Sequence, residues 1–269
     1  MKNKTFSLIV VNYASASLLE RCIFSLSTRL EKEGFLFEWI IINNDFSESI
    51  LIDENKKKKY SLQIFLHPRG NVGFGGACNF AAKKAKGEYL WFINPDTEYL
   101  SGDIKESFNF FLSQKVEIMG FRLVEKKGTI QPWIYGDFLN FFWWIFRYSI
   151  FVSGFVADPQ KPLLTGWVTG ATLFVRKKTF FDLGGFDENF FLYFEDMDFC
   201  LRTKEIKGKN CWYYPQITFC HQGGKSFQEN KKLQKTAYYD SMERYSKKHL
   251  SFLEKKFFSL YVYLRRSRL

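Results

Sequence analysis

Glu195, Asp196 and Asp198 put three carboxylates within four residues, directly after the aromatic run Phe190-Phe191-Leu192-Tyr193-Phe194 and just before Phe199. So many rings make the local medium apolar, and an apolar medium keeps a carboxylate basic near neutral pH. Following the turn Gly184-Gly185-Phe186-Asp187-Glu188, the run from Glu195 to Arg202 has the make-up of a helix start, with acids in its first turn. Residues one apart on a helix point in different directions, so the acids would divide the labour: one serves as a general base, another holds backbone or partner groups in place. A solvated helix N-terminus with favourable dipole charges is the plainer alternative.

Three other stretches have chemistry of their own. Asn94-Pro95-Asp96-Thr97 follows the apolar run Gly87 to Ile93. A carboxylate just past the end of a central strand is placed to coordinate a divalent cation bridging two phosphates, although Asn-Pro-Asp is also a good turn sequence. The loop His67 to Gly76, with glycines at 70, 73, 75 and 76, permits close backbone approach to a phosphate or sugar at the next helix N-terminus; a tight turn with no ligand explains it equally well. His221, at the end of the apolar run Ile217-Thr218-Phe219-Cys220, is either a metal ligand or a hydrogen-bonded structural residue.

The elements that must position these groups alternate. Phe6 to Val11, Phe37 to Ile42, Leu62 to Leu66 and Gly87 to Ile93 read as buried strands, separated by helices after Ser15 or Ser17, near Ser47 to Tyr60 and from Ala77 to Lys86. A helix near Asp103 to Ser113 and a strand near Val116 to Val124 follow. Such alternation argues for an α/β fold with a mostly parallel central sheet flanked by helices, whose ligands bind at the carboxyl ends of the strands. Asn12, Asn43 to Asp45 and Asn71 to Gly76 then gather at one edge.

The 269 residues are 46% apolar and 20% aromatic, which excludes a disordered chain. Five scattered cysteines with no Cys-x-x-Cys pair suggest neither a disulfide framework nor a structural zinc site, and point to a reducing, cytosolic location. The first apolar run is too short for a signal-peptide core. Of the net charge of +11, the stretch Lys225 to Leu269 carries +8, from twelve Lys/Arg against four Asp/Glu. Phe252, Leu253, Phe257, Phe258, Leu260, Tyr261, Val262 and Leu264 interleave with those cations, which fits an anionic membrane surface better than nucleic acid; a helix covering the protein's own core is the alternative. The aromatic segment Phe138 to Val156 is long enough to span a membrane, but Arg147 at its centre argues for an interfacial or acceptor-facing role. The domain expectation is residues 1–225 as the main domain, in halves 1–100 and 101–225, with 226–269 a basic, aromatic helical extension.

Ser7-Leu8-Ile9-Val10-Val11-Asn12-Tyr13, Asn43-Asn44, Asn71-Val72-Gly73-Phe74, Asn94-Pro95-Asp96-Thr97, Val168-Thr169-Gly170-Ala171, the Gly184 to Glu188 turn, Phe191 to Asp198 and His221 form an ordered set. That set resembles the family 2 inverting glycosyltransferases of GT-A fold, most closely their rhamnosyltransferase-like branch, from about Phe6 to Ser226. The resemblance implies that Asn12, Asn43, Asn44 and Asp45 hold the nucleotide base and ribose, that Asn71, Gly73 and Phe74 belong to a donor-binding loop, and that Asn94, Pro95 and Asp96 stand at the family's Asp-x-Asp motif with Asn94 replacing the first acid. It further implies Asp96 and His221 as ligands of Mg or Mn, and Asp196 as the catalytic base beside Glu195. Trp167, Thr169, Gly170, Tyr193 and Asp198 are expected on the acceptor side. The implied partners are a dTDP- or UDP-linked sugar donor, preferably dTDP-rhamnose, and a glycan or undecaprenyl-diphosphate-linked acceptor of bacterial surface polysaccharide synthesis. The expected site of action is the inner face of the cell membrane. A sugar-nucleotide pyrophosphorylase would need a glycine- and arginine-rich loop where Asn12-Tyr13-Ala14-Ser15 stands, and a non-catalytic relative is disfavoured by intact Glu195, Asp196, Asp198 and His221.

Overall fold

The first strand shows why the sheet is central. In the computed structural model, which describes residues 5–47, 49–138, 158–223 and 231–266, every residue of β1 (Phe6–Asn12) is buried. Phe6, Leu8 and Val10 enter one apolar cluster and Ile9 and Val11 the other, because helices cover both faces.

The elements continue as α1 (Ala16–Lys32), β2 (Phe37–Asn43), α2 (Glu54–Lys59), β3 (Leu62–Leu66), α3 (Gly73–Ala82), β4 (Tyr89–Ile93), β5 (Thr97–Ser101) and α4 (Ile104–Ser113). Then come β6 (Ile118–Val124), β7 (Tyr135–Gly136), β8 (Leu163–Thr165), β9 (Trp167–Val168), β10 (Thr172–Arg176), α5 (Lys177–Asp182), α6 (Glu195–Lys207), β11 (Cys211–His221), α7 (Lys231–His249) and α8 (Phe252–Arg266). The large sheet has the order β3-β2-β1-β4-β10-β6-β11-β5, with β8 also paired to β11. One face is covered by α1 through Leu19, Ile23 and Leu26 and by α4 through Phe111; the other by α3, α5, α6, α7 and α8.

Strands β3, β2, β1 and β4 are parallel, so Asn12, Asn43, Leu66 and Ile93 end at one edge. β10 runs antiparallel beside β4 with Thr172 opposite Ile93, which brings Thr169-Gly170-Ala171 to that edge. β11 is antiparallel to β5 with His221 opposite Thr97, which delivers its last residue beside Asp96. Chain direction alone collects the chemistry at one place.

Two local expectations change. The helix expected from Ser47 to Tyr60 is confined to Glu54–Lys59, where the Asp53 side chain accepts from the Asn55 and Lys56 N–H groups and caps it. The helix expected from Ala77 begins at Gly73, and Lys83 to Lys86 fall outside it. The basic extension is woven into the core: Met242 and Tyr245 of α7 and Phe258 and Val262 of α8 are buried against the sheet's second face. Residues 139–157, most of the aromatic segment, lie outside the described residues, as does the expected domain boundary at 225 and 226. Among the described residues no helix is long and apolar enough to cross a membrane.

Candidate active site

A cleft of about 230 Å³ opens at this edge, and Asp196 lies in its wall in the first turn of α6. The Asp196 Oδ2 accepts the Gly170 N–H at 2.8 Å and Oδ1 accepts the Met197 N–H at 2.8 Å. Gly170 is a close approach: an added Cβ would stand 3.2 Å from a Phe74 ring carbon and 3.6 Å from Oδ2. Burial raises the proton affinity of Asp196, and the two backbone donors offset part of that rise. A carboxylate so oriented and so tuned has the properties of a general base.

Glu195 is buried, also lines the cleft, and its Oε2 has no hydrogen-bond partner among the described residues. Burial first, and the neighbouring charge of Asp196 second, push its carboxyl well above the usual range. The two acids share one environment, and burial raises the proton affinity of both.

The start of α6 is strained. Tyr193 and Phe194 both have φ of 68°, the left-handed region that L-residues avoid. Packing holds them there: Gln234 of α7 donates to the Tyr193 hydroxyl at 2.6 Å, Ser241 of α7 donates to Leu192 O at 2.8 Å, and Phe194 contacts the Tyr238 and Tyr245 rings. Strain of about 1–3 kcal/mol per residue is tolerated where surrounding structure over-determines it.

The glycine loop is fastened from both sides. Asn44 Nδ2 donates to Asn71 Oδ1 at 2.9 Å and to Gly73 O at 3.2 Å, and Gly73 N–H donates to Asn71 Oδ1 at 3.0 Å. Gly73 has φ of 79°, and a Cβ there would lie 2.1 Å from Phe191 O, which accepts the Phe74 N–H. Only glycine lets α3 begin against the aromatic loop that leads into α6.

On the opposite wall, Asp96 Oδ1 and His221 Nε2 face each other at 3.3 Å, and Asn94 Nδ2 stands 3.3 Å from the same Nε2. Burial would raise the Asp96 carboxyl; the His221 ring and backbone N–H groups outweigh it and hold the carboxyl below its ordinary value. An imidazole nitrogen and a carboxylate oxygen 3.3 Å apart are spaced as adjacent ligands of one divalent ion, whose bonds are about 2.1 Å. Among the described residues no third His, Cys, Asp or Glu joins them, so the set suits an ion that keeps open positions for a ligand's own oxygens.

The model of glycosyl transferase family 2 matches residues 7–175. The chain belongs to glycosyl transferase family 2. An uncharacterized glycosyltransferase of Rickettsia felis is 28% identical over 153 residues, 55% of this chain and 24% of that protein, so the chain spans about a quarter of that relative's length. The rhamnosyltransferase WbbL of Escherichia coli is 24% identical over 209 residues, covering 68% of this chain and 77% of WbbL. The N-acetylglucosaminyl-diphospho-decaprenol L-rhamnosyltransferase of Mycobacterium tuberculosis is 24% identical over 242 residues, 79% of this chain and 74% of that one. A crystal structure of GalNAc-T7 with UDP, GalNAc and Mn2+ superposes with a TM-score of 0.61 at 17% identity, over 95% of this chain and 54% of that chain, which shows the GT-A fold.

The family 2 match stops at residue 175, before Asp196 and His221, so their places in the cleft come from the geometry above. Asn44, Asn71, Gly73, Phe74, Asn94, Pro95, Asp96, Thr169, Gly170, Tyr193, Glu195, Asp196 and His221 all line it. Four expected residues are not among those that line it. Asn12 is fully buried and donates to Asn43 Oδ1 at 3.1 Å, while Asn43 itself is buried and accepts the Asp45 N–H; these two brace the strand ends beneath the cleft. Asp45 turns its carboxylate to the Ser47 N–H and hydroxyl. Trp167 is buried, with its indole N–H donated to Asp137 O.

Asp198 is the fifth such residue. Two positions after Asp196 on α6, it faces away from the cleft and is fully buried among Arg202, Lys248 and His249, at 2.8, 2.6 and 2.7 Å. Burial alone would raise its carboxyl, but the bonds from His249 and Lys248 and the Arg202 charge bring it down to about 2. Arg202 donates onward to Leu183 O and Gly185 O, and Lys248 to Asp187, so this cluster clamps α6 to α7 and to the glycine turn. Tyr13, Gln131 and Gln234 were not singled out from sequence. Tyr13 and Gln234 line the cleft and Gln131 touches His221; Tyr13 had a signal, its position directly after a strand end, and the two glutamines had none.

Proposed function

We propose that this family 2 chain is an inverting glycosyltransferase that moves a sugar, preferably L-rhamnose from dTDP-rhamnose, to a hydroxyl of a glycan or lipid-linked acceptor. The observation that carries the reading is the Asp196 carboxylate, fixed by the Gly170 and Met197 N–H groups in the wall of a cleft that Asp96 and His221 also line. Asp196 takes the proton of the acceptor hydroxyl as that oxygen attacks the anomeric carbon from the side opposite the leaving diphosphate, which inverts the centre. The glycine loop, fastened by Asn44, faces the donor, and Thr169, Gly170 and Tyr193 shape the acceptor side. A divalent cation, Mg or Mn, would be held by Asp96 and His221 and would offset charge on the departing diphosphate.

Two relatives named as rhamnosyltransferases support the preferred donor, and the mycobacterial one, whose name gives a diphospho-decaprenol acceptor, supports a lipid-linked acceptor. The UDP and Mn2+ in the GalNAc-T7 structure support a nucleotide-sugar with a cation, and keep UDP-hexoses as the alternative donors. Attachment to an anionic membrane surface is supported by α8, which exposes Phe252, Leu253, Leu260, Tyr263 and Leu264 among Lys255, Lys256, Arg265 and Arg266.

The test is nucleoside diphosphate release from a panel of nucleotide-sugars, with and without Mn2+ or Mg2+, for wild type and Asp196→Asn. Cation-dependent turnover of one donor, lost in the variant, supports the reading; failure to bind any nucleotide would sink it. Sedimentation with anionic liposomes tests the membrane part, and indifference to them removes it.

A further inference from the structure

Gln131 makes two bonds to one residue. Its Nε2 donates to the backbone carbonyl of His221 at 2.7 Å, and its Oε1 lies 2.7 Å from His221 Nδ1. The carbonyl of His221 can only accept, so the amide nitrogen must be the end that faces it. Oε1 is thereby left facing Nδ1, and an amide oxygen can only accept, so Nδ1 carries the hydrogen. In the neutral ring Nε2 is then bare, and it is Nε2 that meets Asp96 Oδ1 at 3.3 Å.

The glutamine is itself held firmly. Its N–H donates to Leu123 O at 2.9 Å, and the preceding residue, Ile130, bridges Val124 across the turn closed by Glu125 and Thr129. Gly223 covers the amide closely enough that a Cβ there would lie 3.6 Å from Gln131 Nε2. A fixed amide that reads both the ring and the backbone of one histidine sets the ring's rotation as well as its tautomer.

We propose that Gln131 is the positioning residue of the Asp96–His221 pair: it fixes His221 as the Nδ1–H tautomer and so leaves the Nε2 lone pair to ligate a divalent cation that Asp96 would also hold. This rests on the reading of Asp96 and His221 as the cation's holders. A partner of this kind on the far nitrogen of a metal-binding histidine is typically worth about 10- to 100-fold in metal affinity.

The experiment is 15N NMR of the imidazole nitrogens of the cation-free full chain, at a pH where the rings report as neutral, followed by Mn2+ binding by calorimetry without donor or acceptor. The chain has three histidines, and His221→Gln assigns the one in question. Wild type, Gln131→Met and Gln131→Glu are compared. The expected result is an Nδ1–H signature in wild type, a shift toward the Nε2–H form in Gln131→Met with Mn2+ affinity reduced about 10- to 100-fold, and recovery of the Nδ1–H form in Gln131→Glu, whose oxygens still accept that hydrogen. A purely structural glutamine would change the melting temperature and leave the tautomer alone. An Nε2–H ring in wild type, or a tautomer indifferent to Gln131→Met, overturns the proposal. An Nδ1–H ring set by Gln131 in a wild-type chain that binds no Mn2+ upholds the tautomer and overturns the cation reading on which the rest stands.

Discussion

Asp196 and Asp198 sit two positions apart on one helix and face opposite environments: the first takes its hydrogen bonds from Gly170 and Met197 at the cleft, the second is enclosed by Arg202, Lys248 and His249. The side-chain direction of a helix separates them by more than a quarter turn, so two like residues meet unlike surroundings, one in the cleft wall and one in the frame.

For the base, Asp196→Asn keeps the volume and the cleft while removing the proton acceptor. Turnover is expected to fall by about 10²- to 10⁴-fold, with nucleotide binding little changed. Initial rates and calorimetric binding on the same preparation check it; unaltered turnover would remove Asp196 from its role.

For the frame, Asp198→Asn leaves Arg202, Lys248 and the His249 ring around a neutral side chain. Breaking a buried ion cluster from one side costs about 3–5 kcal/mol, read from urea denaturation at pH 7. The acid limb tests the same residue. Its folded value of about 2 lies below the ordinary 3.8, so its stabilisation is present above about pH 4 and is lost as the pH falls toward 2. That loss amounts to roughly 2 kcal/mol and should be missing from the variant's stability profile.

Glu195 has the opposite sign. Its folded carboxyl is raised, so its contribution is favourable below the ordinary value of 4.5 and becomes a penalty as the pH rises above it. Glu195→Gln should therefore melt higher than wild type at pH 7 and lose that advantage near pH 4. Melting curves at the two pH values decide; equal melting temperatures at pH 7 would show that the buried acid carries no such cost.

Gly73→Ala tests the close approach to Phe191. Left-handed strain alone costs about 1–2 kcal/mol, and with a Cβ 2.1 Å from Phe191 O the aromatic loop must move as well. Reduced donor binding together with lower stability in urea is the expected outcome, and wild-type donor binding would separate the glycine loop from the donor site.

The sheet edge was legible because strand runs such as Phe37 to Ile42 end abruptly in polar residues, a pattern that survives without knowledge of packing. Asp96, Asp196 and His221 were legible for the same reason: each is a chemically distinctive side chain at the end of an apolar run or inside an aromatic one. What could not be read was direction. Asn12 and Asn43 end their strands as expected, yet Asn12 Nδ2 donates to Asn43 Oδ1, which also accepts the Asp45 N–H, a pairing fixed only by the β1–β2 register. Asp198 lay outside reach because its partners Lys248 and His249 are about fifty residues away on α7. Gln131 and Gln234 are ordinary polar residues in ordinary surroundings, and only the folding of β11 and α7 gives them neighbours that matter.

The left-handed pair Tyr193–Phe194 also bears on the order in which the protein is made. Among the described residues all eleven strands precede α7 in the chain, while the side chains of Gln234 and Ser241 that hold this pair belong to α7. A nascent chain therefore has its described strands, Asp96 and His221 translated before the residues that support Asp196. The support for the turn that carries Asp196 is thus made after every described strand.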